Sequence, residues 1–502
     1  MRGIMLQESQ PIAKIVDDVY HTFIIPHDLT LRENPFENNK SGIRPHSASV
    51  EDCSLGDSGK GHAVQEFNDF LLSTSDIGTL FSLRYNGTRN AGHEIVVHGV
   101  RVALHQLPVA VTQEGATGIM GKGMLVHPTD LATEIRYVEN SIGAKLPGTL
   151  WVDSNAVVTT DLHSAYETFT NKKLDVGHGA TGSGVAQGYS SWYEKRAMTV
   201  RDLMNESWRD EFAKQYEFYA SLMGADTLSQ MPVNALTEDG KRMKRNVGTK
   251  EEFLDRLEET RMKLRPYVQD VRPKFEDVWK HQLKIPVTFE GAQGGLLDPY
   301  HGVYPDVTAS RPIARIGIPD STEGVVIFDS IAVKVGVLKE PYMSSVGSRV
   351  HPYEMAPDIA SKYRKENDET GRSTGRDRGI YPIDLVAMRH IRKVAGYNFT
   401  FVTHLDSNHK DRKIEIVTQY VNKVTGQIEG YRPYQWHWNQ VEGVVAELPS
   451  WDGKEVGAVT NIDHLPQESQ KFLQLVSEVL APVVMATNGS ELGKRLLFFP
   501  HR

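Results

Sequence analysis

The chain reads as an α/β protein, and three features of its sequence carry that reading. Short β-rich runs alternate with glycine-rich turns over residues 45–200 and return after 286, the pattern of a sheet whose loops hold ligands. The stretch between them, 200–285, spaces its apolar residues at helical intervals. The composition is that of an ordinary globular chain: 502 residues, 39% hydrophobic and 24% charged, enough for two to four domains or one large domain with a sizeable core.

Taken in order, residues 1–45 form an N-terminal extension. It is polar and rich in Pro and Asn (ENPFENNKSGIRPHS) around one apolar piece, Val19 to Ile25, and is expected to wrap the surface. EIVVHGVRVALHQLPVAV and GTLWV read as strands. In 200–285 Phe253, Leu257, Leu264, Val268, Val271, Phe275 and Val278 recur at three or four with occasional longer steps, and Pro266 and Pro273 are expected to cut the region into shorter helices. KIPVTFEGAQGG, RIGIPD and GVVIFDSIAVKVGVL return to β-rich text. SKYRKENDETGRSTGRDRG then predicts a mobile loop or ligand clamp, DLVAMRHIRKVA a helix, NFTFVTHLD a buried strand, QESQKFLQLVSEVLA an amphipathic helix and PVVMA a last strand.

Charge and cysteine content exclude several classes. With 56 Lys+Arg against 64 Asp+Glu the net charge is -8, which gives no footprint for nucleic acid or an anionic membrane. The single Cys53 rules out an internal disulfide framework and any Cys-rich metal site. No apolar run is long enough to span a membrane, and the start lacks the apolar block of a signal peptide, so the expectation is a cytoplasmic protein.

Four segments hold the chemistry. Gly56-Asp57-Ser58-Gly59-Lys60-Gly61 sets bare backbone N–H groups beside a cation and a carboxylate, which suits phosphate and Mg²⁺, although its spacing is not that of the common phosphate loop and the preceding SASVEDCSL is less apolar than a buried strand is expected to be. Arg84 to His93 (RYNGTRNAGH) places an imidazole at the mouth of a strand, where it can serve as a general acid. Phe289 to Asp298 (FEGAQGGLLD), followed by YPDVT, presents the Gln293 amide on bare backbone, suited to a purine edge. Ser373-Thr374-Gly375-Arg376-Asp377-Arg378 sets two guanidiniums beside hydroxyls, suited to a dicarboxylate. Singly, each competes with a bland turn or solvated loop.

In this order, and with GIMGKGMLVHP, GATGSGVAQGY, VGSRVHPYEM, THLD and LPQESQKFLQLVSEVLAPVVMATNG, these segments resemble the adenylosuccinate synthetase family from about residue 50 to 492. That likeness implies a P-loop-like α/β fold with a large, mostly parallel central sheet, flanking helices and helical subdomains, residues 46–502 forming the catalytic unit. It implies a ligase that joins L-aspartate to inosine monophosphate (IMP) with GTP hydrolysis, Mg²⁺ as cofactor and a homodimer as the active unit. By resemblance, Asp57 is the base and, with Gly92, a metal ligand, and His93, Lys60 and Gln293 complete the catalytic set. The monophosphate nucleotide would be held by Asn90, Thr181, Gln293, Leu297, Thr308 and Arg376, with Lys195 or Arg196 reaching across from the partner subunit. Ser373, Thr374, Arg376 and Arg378 would bind aspartate. Gly59, Lys60, Gly61, His93, Arg378, His404, Asp406, Thr487 and Gly489 would bind the triphosphate.

The chain also departs from the family's pattern. Ser58 stands where Glu follows the catalytic Asp, Glu94 where Thr follows the His and His404 where Lys precedes the guanine-reading Asp. Gly489-Ser490-Glu491-Leu492 replaces Gly-Pro-Asp-Arg, and VGSRVHPYE replaces a Gly-Pro-Phe-Pro-Thr-Glu pattern. These changes cluster around the nucleotides and leave two choices open: IMP or (deoxy)guanosine monophosphate as acceptor, and GTP or ATP as donor. The viral enzymes that join aspartate to deoxyguanosine monophosphate carry Ser at the catalytic Asp, whereas Asp57 is retained here. A regulator that binds nucleotides without catalysis is the third reading, and the retained aspartate clamp argues against it.

Overall fold

The computed structural model describes residues 10–21, 29–37, 40–174, 180–345, 349–370, 377–407 and 410–500. A ten-stranded sheet forms the centre. Its members in chain order are β1 (Arg44–Asp52), β2 (Leu80–Arg84), β3 (Ala116–Met120), β4 (Thr149–Asp153), β5 (Val268–Gln269), β6 (Val287–Glu290), β7 (Ile331–Lys339), β8 (Phe399–Thr403), β9 (Val483–Thr487) and β10 (Arg495–Leu497). They lie side by side as β5-β4-β3-β2-β6-β1-β7-β8-β9-β10, all neighbours parallel except β9 and β10. After β1 the chain works outward on one side; after β6 it crosses β1 and works outward on the other. Ligands of open parallel sheets bind outside the carboxyl ends of the strands at such a reversal.

Most of these strands are buried apolar runs, as a sheet covered on both faces requires. β1 is the exception that the sequence misrepresents: it is polar and yet buried over its last six residues. Several of its polar groups are satisfied internally, although Ser49 Oγ and Glu51 Oε1 are not. The Arg44 guanidinium donates to the carbonyls of Ile285 (2.7 Å) and Gln282 (3.2 Å), Ser47 Oγ to the Arg44 carbonyl (2.5 Å), and Glu51 accepts the Ala314 N–H (2.9 Å). Paired in this way, polar side chains stay in a core at little cost. Burial pushes the Glu51 carboxyl up to about 8.

Other expectations are met or corrected element by element. The helices Leu385–Ala395 and Gln467–Val479 and the strands β8 and β9 form where the sequence places them. RIGIPD is helical rather than β-rich: Ala314–Ser321 begins just after Pro312, and its first N–H is the one held by Glu51. Pro266 ends the helix Lys250–Leu264 in a 3₁₀ turn, whereas Pro273 sits in the first turn of Val271–His281, where a missing N–H costs nothing. SKYRKE lies within a helix, Pro357–Glu366, rather than a loop. The helical region also contains an antiparallel hairpin, Pro232–Leu236 with Arg242–Asn246, which its polar, charged sequence did not announce. Within the extension, α1 (Ile12–His21) lays Ile12, Ile15, Val16 and Val19 against Gln467–Val479; the apolar piece beyond it falls partly outside the described residues.

A buried ion network ties the hairpin to the loop after β2. Asp130 accepts Arg89 (2.7 Å) and Arg242 (2.9 Å), and Arg89 also reaches the Ser164 hydroxyl and the Asn234 carbonyl. Burial alone would raise the Asp130 carboxyl, but Arg89, His127 and Arg242 together outweigh it and hold it far below the usual range. A depressed carboxylate stabilises the fold above its unfolded value, about pH 4, and that contribution fades as the pH falls toward its native value. Asp130→Asn leaves two buried guanidiniums short of an anion and is expected to cost roughly 3–5 kcal/mol, read as a lower thermal midpoint at pH 7 and a weaker acid dependence of stability. An unchanged midpoint would show that the network is energetically idle.

Candidate active site

A cavity of about 570 Å³ opens where β1, β2, β6, β7, β8 and β9 end. Three residues on its wall, Asp57, Gln293 and His404, are non-glycines at positive φ (54°, 62° and 67°). Such strain persists only where the surrounding structure enforces it, and it concentrates at working sites.

The loop after β1 supplies Asp57 and leads into α2 (Lys60–Thr74). Gly59 caps this helix at φ 78° with no side-chain hydrogen bond, so the first N–H groups are left for a ligand, the usual arrangement of an anion site. Lys60 is folded back on Asp52 at 3.0 Å, and Asp52 also takes the Ser54 N–H at 2.6 Å; these contacts outweigh burial and keep its carboxyl low. A Cβ on Gly61 would lie 2.8 Å from the His93 Cβ, so only glycine lets the imidazole this close to the helix start.

His93 opens the hairpin His93–Val97/Val100–Leu104 at the end of the loop after β2. Its Nδ1 lies 2.7 Å from Glu290 Oε1, while Glu290 Oε2 accepts the Val109 N–H at 2.8 Å and Arg84 stands 3.8 Å away. Burial, helped by Arg84, lowers the imidazole's basicity against the pull of Glu290. The carboxylate accepts the hydrogen bond from Nδ1–H, which leaves Nε2 buried without a protein partner. Glu290 was within a motif the sequence singled out, but nothing in one sequence marks it as the partner of His93, 197 residues away.

From the loop after β6, the Gln293 oxygen accepts Ser310 Oγ (2.7 Å) and Asn86 Nδ2 (3.3 Å), so the amide nitrogen is the end it offers the cavity. Asn90, Thr181, Leu297 and Thr308 share the same wall, with Gly92 beside His93. Of the predicted clamp, Ser373, Thr374 and Arg376 lie outside the described residues. Arg378 is present: its Nε is 3.0 Å from Asp57 and its Nη1 donates to Glu369 at 2.7 Å. Glu369 also takes Lys339 and the Tyr342 hydroxyl, each at 2.6 Å. Neither Lys339 nor Glu369 was singled out from the sequence.

At the other end stand His404, Asp406, Thr487 and Gly489. Burial, then Lys339, pushes the His404 imidazole down to about 3, so this ring is neutral, and its Cε1 would lie 3.2 Å from a Cβ on Gly59. Burial raises the Asp406 carboxyl. Lys195 and Arg196 do not line this cavity. Arg196 pairs with Glu194 and lies over the Phe218 ring at 4.6 Å.

Among the described residues no cluster of three or more His, Cys, Asp or Glu could hold a metal alone. A single carboxylate, Asp57, beside bare helix N–H groups fits an ion bound chiefly through a ligand's phosphates, the habit of Mg²⁺. No described helix is long and apolar enough to cross a membrane.

The adenylosuccinate synthetase family model matches residues 52–494. The adenylosuccinate synthetase of Leuconostoc mesenteroides is 31% identical over 430 residues, 85% of this chain and 92% of that protein. Among solved structures, the fully ligated adenylosuccinate synthetase of Plasmodium falciparum superposes with a TM-score of 0.77 at 23% identity, covering 90% of this chain and 99% of that one. The cyanophage S-2L succinoaminodeoxyadenylate synthetase, bound to dGMP and dATP, reaches 0.52 at 16% identity over 91% and 96%. With a ligand-ready cavity at the switch point of its parallel sheet and the family match running through nearly all of it, the chain belongs to the adenylosuccinate synthetase family, the ligases that form a carbon–nitrogen bond in purine biosynthesis.

Proposed function

We propose that the protein joins L-aspartate to the 6-position of IMP with hydrolysis of GTP, giving adenylosuccinate. The observation that carries this reading is the convergence on one cavity of the Asp57 carboxylate, the uncapped start of α2 and the Glu290-held His93. In this scheme Asp57 takes the N1 proton of the purine, and the 6-oxygen so activated attacks the γ-phosphorus, expelling GDP. The aspartate amine then adds at C6 and the 6-phosphate leaves. Phosphoryl transfer of this kind needs positioning and charge neutralisation more than covalent help. The N–H groups of Gly59, Lys60 and Gly61 and the Lys60 ammonium supply the neutralisation, and His93 Nε2 addresses the transferring phosphoryl group.

Mg²⁺, held by Asp57 and the Gly92 carbonyl, would neutralise phosphate charge when bound. Asn90, Thr181 and Thr308 hold the 5′-phosphate and Gln293 the base. Ser373, Thr374, Arg376 and Arg378 receive aspartate, and Asp406 reads the guanine edge of GTP. In a homodimer Lys195 or Arg196 of one subunit completes the phosphate site of the other. For Asp57 to act, Arg378 must release it.

The same chemistry on (deoxy)guanosine monophosphate is the second reading, favoured by the small Ser58 beside Asp57. The likeness to a curated adenylosuccinate synthetase, 31% identical over 430 residues, supports the first. The deciding experiment incubates the purified protein with aspartate, Mg²⁺, IMP or dGMP, and GTP or ATP, and follows the succinylated product. Product from dGMP alone would move the assignment to the second reading, and none from any pair would refute both.

Three further outcomes are expected. Asp57→Ala should abolish turnover while the protein stays folded, and His93→Ala should lower kcat by roughly 10² or more, the range for a lost acid–base group. Near-normal kcat in either would remove it from the mechanism. Arg376→Lys should raise the aspartate KM about tenfold or more with nucleotide KM values within a few-fold, because an ammonium cannot copy a guanidinium fork. Loss of monophosphate binding instead would place this loop at the other substrate.

A further inference from the structure

Arg349 stands on the wall of the same cavity, with Asp306 among the charged groups that face it. Its Nε and Nη1 are sealed from solvent and find no hydrogen-bond acceptor, while the rest of the residue remains partly exposed. Asp306, Tyr381 and Tyr431 are the titratable groups that face it, and none of them accepts a hydrogen bond from these two nitrogens. Arg44 shows the contrast. It too is a buried arginine, and its guanidinium donates to the carbonyls of Trp279, Val278, Gln282 and Ile285, as a purely structural arginine does. A buried guanidinium without such partners costs stability unless something else completes it. It also lies in VGSRVHPYE, a segment that departs from the family's pattern.

We propose that Arg349 is an oxyanion-binding residue of this cavity, its guanidinium closing on a phosphate or carboxylate of the acceptor nucleotide or the amino donor. The planar fork suits two oxygens of one such group, and the Thr308 hydroxyl on the wall of the same cavity offers a further donor. The inference rests on the ligase reading and adds to it a substrate contact that the family's pattern does not supply.

Arg349→Met keeps most of the side-chain volume and removes the charge. With wild-type protein as reference, KM values for aspartate, monophosphate and triphosphate are measured, and calorimetry follows aspartate and IMP binding separately. The KM and Kd of one of the two, aspartate or monophosphate, should rise at least tenfold, and which one rises identifies the oxyanion. The triphosphate KM should stay within about threefold, and Arg349→Lys should recover part of the affinity. The thermal midpoint of the free Arg349→Met protein should be unchanged or higher, since two unpaired donors are gone. A midpoint several degrees lower, or three KM values rising together, would make Arg349 structural and overturn the inference. So would an active variant with both affinities intact, which would leave the ligase reading standing. Wild-type protein that forms no succinylated nucleotide refutes that reading instead, and calorimetry then still decides whether Arg349 holds IMP or aspartate.

Discussion

The site depends on a backbone contact between the loops that follow β1 and β6. A Cβ on Gly294 would fall 2.2 Å from the Ser54 carbonyl and 2.5 Å from the Gly56 nitrogen, and the Leu296 N–H donates to the same Ser54 carbonyl at 3.0 Å. No side chain can stand between these loops. Their contact draws Asp57 and Gln293 toward one space, and both take up left-handed backbone there. The parallel register of β1 with β6 sets the height of the two loops, so the site is fixed by the sheet before any ligand arrives.

Apart from Arg349, the cations deepest in the cavity are stored as pairs. Lys60 rests on Asp52, and Arg378 bridges Asp57 and Glu369, which also holds Lys339. A lone charge at this depth would cost several kcal/mol, so each group finds an internal partner until a substrate offers a better one. Binding then becomes an exchange of partners rather than the burial of new charge. The His93–Glu290 pair needs no such exchange, because Nδ1 is engaged and Nε2 is already without a protein partner. The three cations, Lys60, Arg378 and Lys339, are therefore the exchangeable part of the electrostatics and the imidazole the fixed part.

How much was legible in the sequence follows from what each signal depends on. Loops with a local signature, GDSGKG and EGAQGG, showed themselves because bare backbone beside one polar side chain is rare in plain turns. The helix 385–395 and strands β8 and β9 showed themselves through periodicity. β1 hid because its polarity is cancelled by partners far along the chain: Ala314 for Glu51, Ile285 for Arg44. RIGIPD hid because β-branched residues there look extended, while a carboxylate from β1 holds its first N–H in a helix. Glu290, Glu369 and Lys339 hid for the same reason as β1. Their meaning lies in a neighbour contributed by another strand end, which spacing along one sequence does not encode.

The departures from the family's pattern sit in loops rather than on strands that build the floor. Ser58 is buried in the turn before α2, behind the cavity wall rather than on it, and Thr403 donates to its carbonyl at 2.7 Å. His404 puts a neutral ring over Gly59 where the family has a lysine, which takes one positive charge from that end of the cavity. Arg349 adds one elsewhere on the wall. Glu94 is held on the rim by Arg101 at 3.2 Å. Charge has thus moved between walls while Asp57, His93 and the start of α2 keep their places on a rigid sheet edge. Loops can redefine which ligand is held without disturbing the groups that react with it. Selectivity between purines and between triphosphates is therefore the property in which this chain has most freedom to differ from its relatives.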